Sequence, residues 1–425
     1  MGERSLLGRW MCAWALLGLG TLAGCGEGTE GPTEALASGS APSHGQEVSE
    51  PELPPAPLEV APALILHGAD EVRPTPPLAP AVSFQPAFYQ ALRWSRSIST
   101  VTTFRLRLPV ARAGERLSVT FRAGDGSLTL QKATVALAGA NGALASAPIA
   151  LTFGGQPGFT VAARTHAVSD PVPLEVNLQD ELAVSFEVKG SLSISDIDAF
   201  PGGFMREGAH AGSTGAFGGS SWQRAIGVTA IHTEAETGRS FVALGDSITE
   251  GYISTYNDTR NAWPALAGKA LGVPIVNAGV SGQGFYDALQ YLDREALALT
   301  GVTDCIILLG TNDLGASSDA QLQERMTLML NRLKPHCKLW VSTLIPRERS
   351  KYADFETVKA SRIVFNTWLR QQTQAEVIDL EAVTRSPSDV HQFITGLDVD
   401  GIHPSQQGHQ VMAEEAVRVL RAKGL

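Results

Sequence analysis

From residue 238 onward the apolar residues come in unbroken runs: SFVAL (240–244), VPIVNA (273–278), CIILLG (305–310), KLWVSTL (338–344) and EVIDL (376–380). Helix-length amphipathic segments separate them, starting near residues 262, 282, 319, 352 and 405. A strand that is apolar on both faces must be covered on both, and alternating helices supply the cover. The pattern therefore predicts an α/β domain over 237–425, a three-layer parallel sheet. Residues 82–236 keep a different period. TTFRLRLPV, RLSVTFRAG, LTLQKATVALAG and LAVSFEVKG alternate apolar with polar positions between Gly, Asp and Pro turns. That is the signature of short antiparallel strands, an all-β sandwich or jelly-roll domain. The Gly-rich stretch 202–221 reads as a mobile surface loop, and this half carries no obvious catalytic cluster.

The first 81 residues belong to neither pattern. Arg4 and Arg9 precede an apolar stretch at 10–23 that is too short to span a bilayer, which is the grammar of an export signal over 1–25. It ends in LAGC, which resembles the bacterial lipoprotein cleavage box and would make Cys25 the lipidated N-terminus; a general secretion signal cut nearby is the alternative. Residues 26–81 hold nine acidic residues against one Arg, eleven of the 24 prolines and no aromatic residue. Such a segment cannot bury enough apolar surface to fold and reads as a disordered tether. It carries −8 of the formal charge of −10, which leaves the folded body nearly neutral, with no basic stripe for nucleic acid. The expected location is the cell envelope, with the membrane reached through the lipid. Since Gly26 is not Asp, the outer membrane is the expected destination in a two-membrane bacterium. Cys305 and Cys337 stand at the starts of two buried strands. Either they pair across parallel neighbours, as export permits, or they remain two buried thiols.

In parallel sheets the reactive groups lie beyond the carboxyl ends of the strands. Here those ends read GDSIT (245–249), NAGVSG (277–282) and GTND (310–313), and DVDGIHPSQQGH (398–409) precedes the last helix. Ser, Asn, Asp and His therefore converge on one rim. These four segments, in this order, resemble the signature blocks of the GDSL, or SGNH, hydrolase family. Ser247, Gly279, Asn312 and the Asp400-x-x-His403 pair match its blocks over about 239–425. The sandwich looks like the β domain that precedes some bacterial members, in lipoprotein esterases of that kind. The resemblance implies a flavodoxin-like sheet and acyl-ester hydrolysis without metal or organic cofactor.

The chemistry stands without the family. A serine hydroxyl needs a base within hydrogen-bond reach, here His403, and Asp400 can fix its tautomer. The oxyanion formed on attack needs preorganised donors, assigned to the amides of Ser247 and Gly279 and the side chain of Asn312. A helix after Ser247 adds its dipole. Asp246 and Asp313 are assigned to structure, and Asp398, five residues from His403, is the weaker partner. Ser247 does not sit in a G-x-S-x-G elbow, because Thr249 occupies the fifth position. GVSGQG lacks the acid of a dinucleotide site, and His403 and His409 lack partners for zinc. Tyr252, Tyr256, Phe285 and Tyr286 wall a pocket or pack the core. In the loop 346–356, Arg347 and Arg349 either meet an acidic substrate or belong to a solvated charge run. Three functions follow: a serine esterase removing a short acyl group such as acetyl from a glycan or small molecule, an O-acyltransferase using the same intermediate, or a non-catalytic surface glycan-binding lipoprotein.

Overall fold

The computed structural model describes residues 81–253, 257–349 and 354–425. The segments read above as an export signal and a tether, with Cys25, lie outside the described residues up to residue 80, as does Tyr256.

The first region is antiparallel. Its strands are β1 (Val82–Tyr89), β2 (Trp94–Pro109), β3 (Gly114–Leu137), β4 (Ile149–Leu151), β5 (Phe159–Val161), β6 (His166–Val168), β7 (Val172–Val176), β8 (Glu181–Ile194), β9 (Gly203–Glu207), β10 (Ser220–Trp222) and β11 (Val228–Glu236). They form one continuous hydrogen-bonded path, β1-β11-β3-β8-β2-β9-β10, with β4 to β7 paired on β3. Strand β3 takes part in two sheets: its first part pairs with β11, β6 and β7, and its second part with β8, β4 and β5. The long strands bend where register breaks, between Ile98 and Thr102 in β2 and between Ala123 and Leu128 in β3. Period-2 alternation in β3 sends Leu117, Val119 and Phe121 into a shared apolar core. The Gly-rich segment is packed rather than loose. Arg105, 1% exposed, donates from Nη1 to Gly142 O and from Nη2 to Ser213 O, and its guanidinium lies 4.4 Å from the Phe217 ring.

The second region is a parallel sheet of β12 (Phe241–Gly245), β13 (Ile275–Gly279), β14 (Asp304–Leu308), β15 (Lys338–Ser342) and β16 (Glu376–Ile378) in the order β13-β12-β14-β15-β16. Its helices are α1 (Ser247–Glu250), α2 (Trp263–Leu271), α3 (Phe285–Leu292), α4 (Asp319–Leu333), α5 (Phe355–Gln371), α6 (Leu380–Thr384) and α7 (Gln406–Ala422). Side-chain caps start three of the long ones: Ser318 in a capping box with Gln321, Asp354, and Ser405. A disulfide joins Cys305 in β14 to Cys337, just ahead of β15, with Cα atoms 5.8 Å apart. The parallel register Asp304↔Lys338 brings the two sulfurs together. Strand β13 would be an open edge, but Gln90 bridges Asn277, and Ala91 N donates to Asn277 O at 3.2 Å. Tyr89 and Ala230 of the first region pack into the apolar core of the second.

Candidate active site

Register decides where the site lies. Gly245 pairs with Gly279 on one side and Leu308 on the other, so three successive loops leave the sheet at one level. The first carries Ser247, whose Oγ lies 2.9 Å from His403 Nε2. His403 Nδ1 donates to Asp400 Oδ2 at 2.9 Å, which leaves Nε2 as the acceptor facing the hydroxyl. Asp400 is itself oriented: its Oδ1 accepts from Ile402 N at 3.0 Å and His403 N at 2.9 Å. Burial pushes its carboxyl up, but the His403 amide and ring outweigh that, and the net direction is down. The pair is therefore set to receive and hold a proton. Asp398 has another task, since Oδ2 accepts from Gly401 N at 2.7 Å and closes the turn. The Tyr252 ring stands 4.3 Å from the His403 ring, a wall to the site.

Asn312 donates from Nδ2 to Gln283 O at 3.0 Å, which ties the third strand's loop to the second's and leaves the other Nδ2 hydrogen for a ligand. The Ser247 amide, at the first position of α1, has no intrahelical acceptor. Gly279 does not fit the donor role expected of it. Its amide donates to Asn277 Oδ1 at 2.8 Å, and a Cβ there would meet Glu250 N at 2.3 Å. Its bareness serves the close approach of α1 to β13. Gly282, three residues on, has φ +75° and open space where a Cβ would stand, and its amide has no acceptor among the described residues. The same stretch offered both glycines to sequence reasoning, and only the competing Asn277 side chain separates them.

Helix α1 is a single turn, ended at Gly251 with φ 108°, so the dipole expected behind Ser247 shrinks to local amides. Asp246 caps that turn by accepting from Ile248 N at 2.9 Å, and burial raises its carboxyl to about 7. Asp313 caps α3 by accepting from Phe285 N. Phe285 is core and Tyr286 is exposed. His409 is buried, its Nδ1 accepts from Trp263 N, and burial lowers it to about 4. Among the described residues no cluster of His, Cys, Asp or Glu is placed to hold a metal ion.

Two further residues hold places that the sequence reading did not give them. Arg347 is buried, not part of a solvated run: Nη1 donates to Thr311 O at 2.6 Å and Nε to Arg349 O at 3.0 Å, fixing the loop that presents Asn312. Glu250 is 1% exposed, its Oε2 accepts from Ser281 N at 2.7 Å, and burial raises it to about 8. No local pattern marks either one; both act through contacts distant in sequence.

Residues 243–411 match the sequence model of the GDSL-like lipase/acylhydrolase family. No curated protein matches the chain. Solved structures resemble part of the chain. A protein of the G-D-S-L lipolytic family from Desulfitobacterium hafniense DCB-2 is 25% identical, over 43% of this chain and 99% of its own, at a TM-score of 0.38. The lipase/acylhydrolase from Enterococcus faecalis is 24% identical, over 44% and 97%, at 0.36. The sequence match over residues 243–411 identifies that part of the chain as a domain of the GDSL-like lipase/acylhydrolase family.

Proposed function

We propose that the protein is a serine esterase that removes a short acyl group, such as acetyl, from a glycan or small molecule. The observation that carries this is the unbroken relay Ser247 Oγ–His403 Nε2, His403 Nδ1–Asp400 Oδ2, each link 2.9 Å. His403 takes the Ser247 proton as Oγ attacks the ester carbonyl, and the tetrahedral oxyanion is met by donors. We assign these to the amides of Ser247 and Gly282 and to Asn312 Nδ2. Collapse expels the alcohol, protonated by His403, and leaves an acyl-serine. Water, activated by the same imidazole, then releases the acid. No step calls for a metal or organic cofactor. The N-terminal sequence supports an exported, lipid-anchored enzyme of the cell envelope.

The test is hydrolysis of p-nitrophenyl esters of increasing chain length and of acetylated polysaccharides, with Ser247→Ala alongside. Turnover highest on the shortest acyl chains and lost in the variant supports the reading. Wild-type turnover equal to that of Ser247→Ala on every ester sinks it.

A further inference from the structure

A cavity of about 420 Å³ lies between β3, β6 and β11 on one side and the segment after α3 on the other. It shares no residue with the Ser247 rim. Ala298–Thr300 in its wall precede β14, so it lies toward the amino ends of the parallel strands, the end opposite the site. Its floor comes from the alternation that builds the antiparallel core. Leu117, Val119 and Phe121 point into that core, and Ser118, Thr120 and Arg122 take the other face of β3. That face is not in water: the three are 7%, 9% and 7% exposed. Cross-strand pairing sets His232 beside Ser118 and His166 beside Arg122. Arg294 enters from a π-helical turn, Asp293–Leu297.

The charges do not balance. No Asp or Glu is among the described residues that line the cavity. The nearby Glu295 carboxylate is taken by Arg93, at 2.5 and 2.7 Å, and by Nη2 of Arg294 at 2.7 Å. Arg122 forms no salt bridge among the described residues; its guanidinium meets the Tyr89 hydroxyl and feels both repulsion from Arg294 and attraction from Glu295. Nε of Arg294 is buried without an acceptor. A larger cavity, about 440 Å³, shows the contrast: its Arg260 is matched by Asp258 at 2.6 Å and Glu181 at 2.5 Å. Arg93, Arg122 and Arg294 thus share the one carboxylate of Glu295, positive charge is in excess, and an anion in the cavity offsets it. The hydroxyls of Ser118 and Thr120 sit beside the cations, and a hydroxylated ligand suits them.

We propose that this cavity binds a sugar unit bearing one carboxylate or phosphate group, held by Arg122 and Arg294 and by the Ser118 and Thr120 hydroxyls. Such a site lets the protein hold an acidic glycan at a point away from Ser247. It needs no ester chemistry and stands apart from the esterase assignment.

Calorimetry on the full chain at low ionic strength tests it, with D-glucuronate, glucose 6-phosphate, inorganic phosphate and D-glucose as probes. Binding of glucuronate or of glucose 6-phosphate, with glucose silent, is the expected result, and whichever acid binds identifies the group. Arg294→Gln should weaken that binding roughly ten-fold or more, as loss of a charge-assisted contact does. The same variant should keep its melting temperature and its p-nitrophenyl acetate turnover, and Arg122→Lys serves as a second probe that keeps the charge. No binding of either acidic sugar up to about 10 mM, binding of phosphate alone, or undiminished binding by Arg294→Gln overturns the proposal.

Discussion

The two regions bury polar groups to different ends. In the parallel sheet the strands are largely apolar on both faces, and the reactive groups stand on the loops at one rim, where Ser247, Asn312 and the Asp400–His403 turn converge. In the antiparallel region polar side chains alternate with apolar ones along strands such as β3, and part of that polar face is sealed from water, as at Ser118, Thr120 and Arg122. The first arrangement concentrates a few groups with exact partners. The second spreads many donors over a surface. A rim of the first kind suits covalent chemistry, and a wall of the second kind suits recognition.

The sharpest way to break that contrast is at the rim. Asp400→Asn keeps the shape of the side chain but cannot hold the Nδ1–H tautomer, and ester turnover should fall roughly a thousand- to ten-thousand-fold with the fold intact. If turnover survives at a tenth of wild type, Asp400 is a turn former and the relay ends at His403. Next in size is stability. The parallel region is stapled by Cys305–Cys337, and residues 82–236 contain no cysteine. Replacing both cysteines with Ser should cost about 3–4 kcal/mol in urea unfolding, from the loop-closure entropy returned to the unfolded chain. An unchanged midpoint would mean that packing alone holds β14 to β15.

Asn312→Ala should lower kcat about a hundred- to a thousand-fold, the usual loss for one oxyanion donor. Two glycine variants sharpen this. Gly279→Ala drives a Cβ into the Glu250 backbone and should fail by misfolding, whereas Gly282→Ala has room and pays chiefly for its left-handed φ. A folded, active Gly279→Ala protein would reverse the assignment of these two residues.

Where the regions meet, Glu250 accepts from Ser281 N of one and, at 3.5 Å, from Ile197 N of the other. Burial raises its carboxyl from an ordinary 4.5 to about 8, so the folded state holds that proton more tightly than the unfolded. Its stabilising contribution is then complete below about 4.5 and is lost as pH rises through about 8. The urea midpoint should decline across this window, and Glu250→Gln should flatten the decline. Part of the slope should remain, from Asp246, raised to about 7 in the same direction. Parallel profiles for wild type and variant would show that Glu250 is ionised in the folded protein.

How legible all this was depends on the range of the interaction. The parallel strands and their covering helices came from unbroken apolar runs, Ser247 and Asn312 from residues that follow such runs, and Asp400 and His403 from the loop ahead of the last helix. Those signals are local. Most of what escaped was set by partners far along the chain, and one part by a choice between near neighbours. Asn277 takes the Gly279 amide through a bond within one strand, yet nothing in NAGVSG says which of two glycines is left over. The segment 202–221 looks mobile by composition, but Arg105 and the buried Ala211 and Phe217 fix it. Arg347 looked like one charge in a run because its acceptor, Thr311 O, is thirty-six residues away.

Arg105 and Arg347 allow the smallest and most discriminating comparison. Each is a buried guanidinium whose hydrogen bonds go mainly to backbone carbonyls: Arg105 to Gly142 O and Ser213 O, Arg347 to Thr311 O and Arg349 O. Lysine keeps the charge of either but loses the planar fork, so both Arg→Lys variants should melt earlier than wild type by similar amounts. Their kinetics should part. Arg105 anchors a segment of the antiparallel region with no place at the rim. Arg347 holds the residue next to Asn312, and a slackened loop misplaces a donor that matters only in the transition state. Arg347→Lys should therefore lose roughly ten-fold in kcat with KM little changed, and Arg105→Lys should lose neither. Equal losses of kcat in the two variants would mean that the rim responds to general softening of the molecule, and Arg347 would lose its standing as a positioning residue.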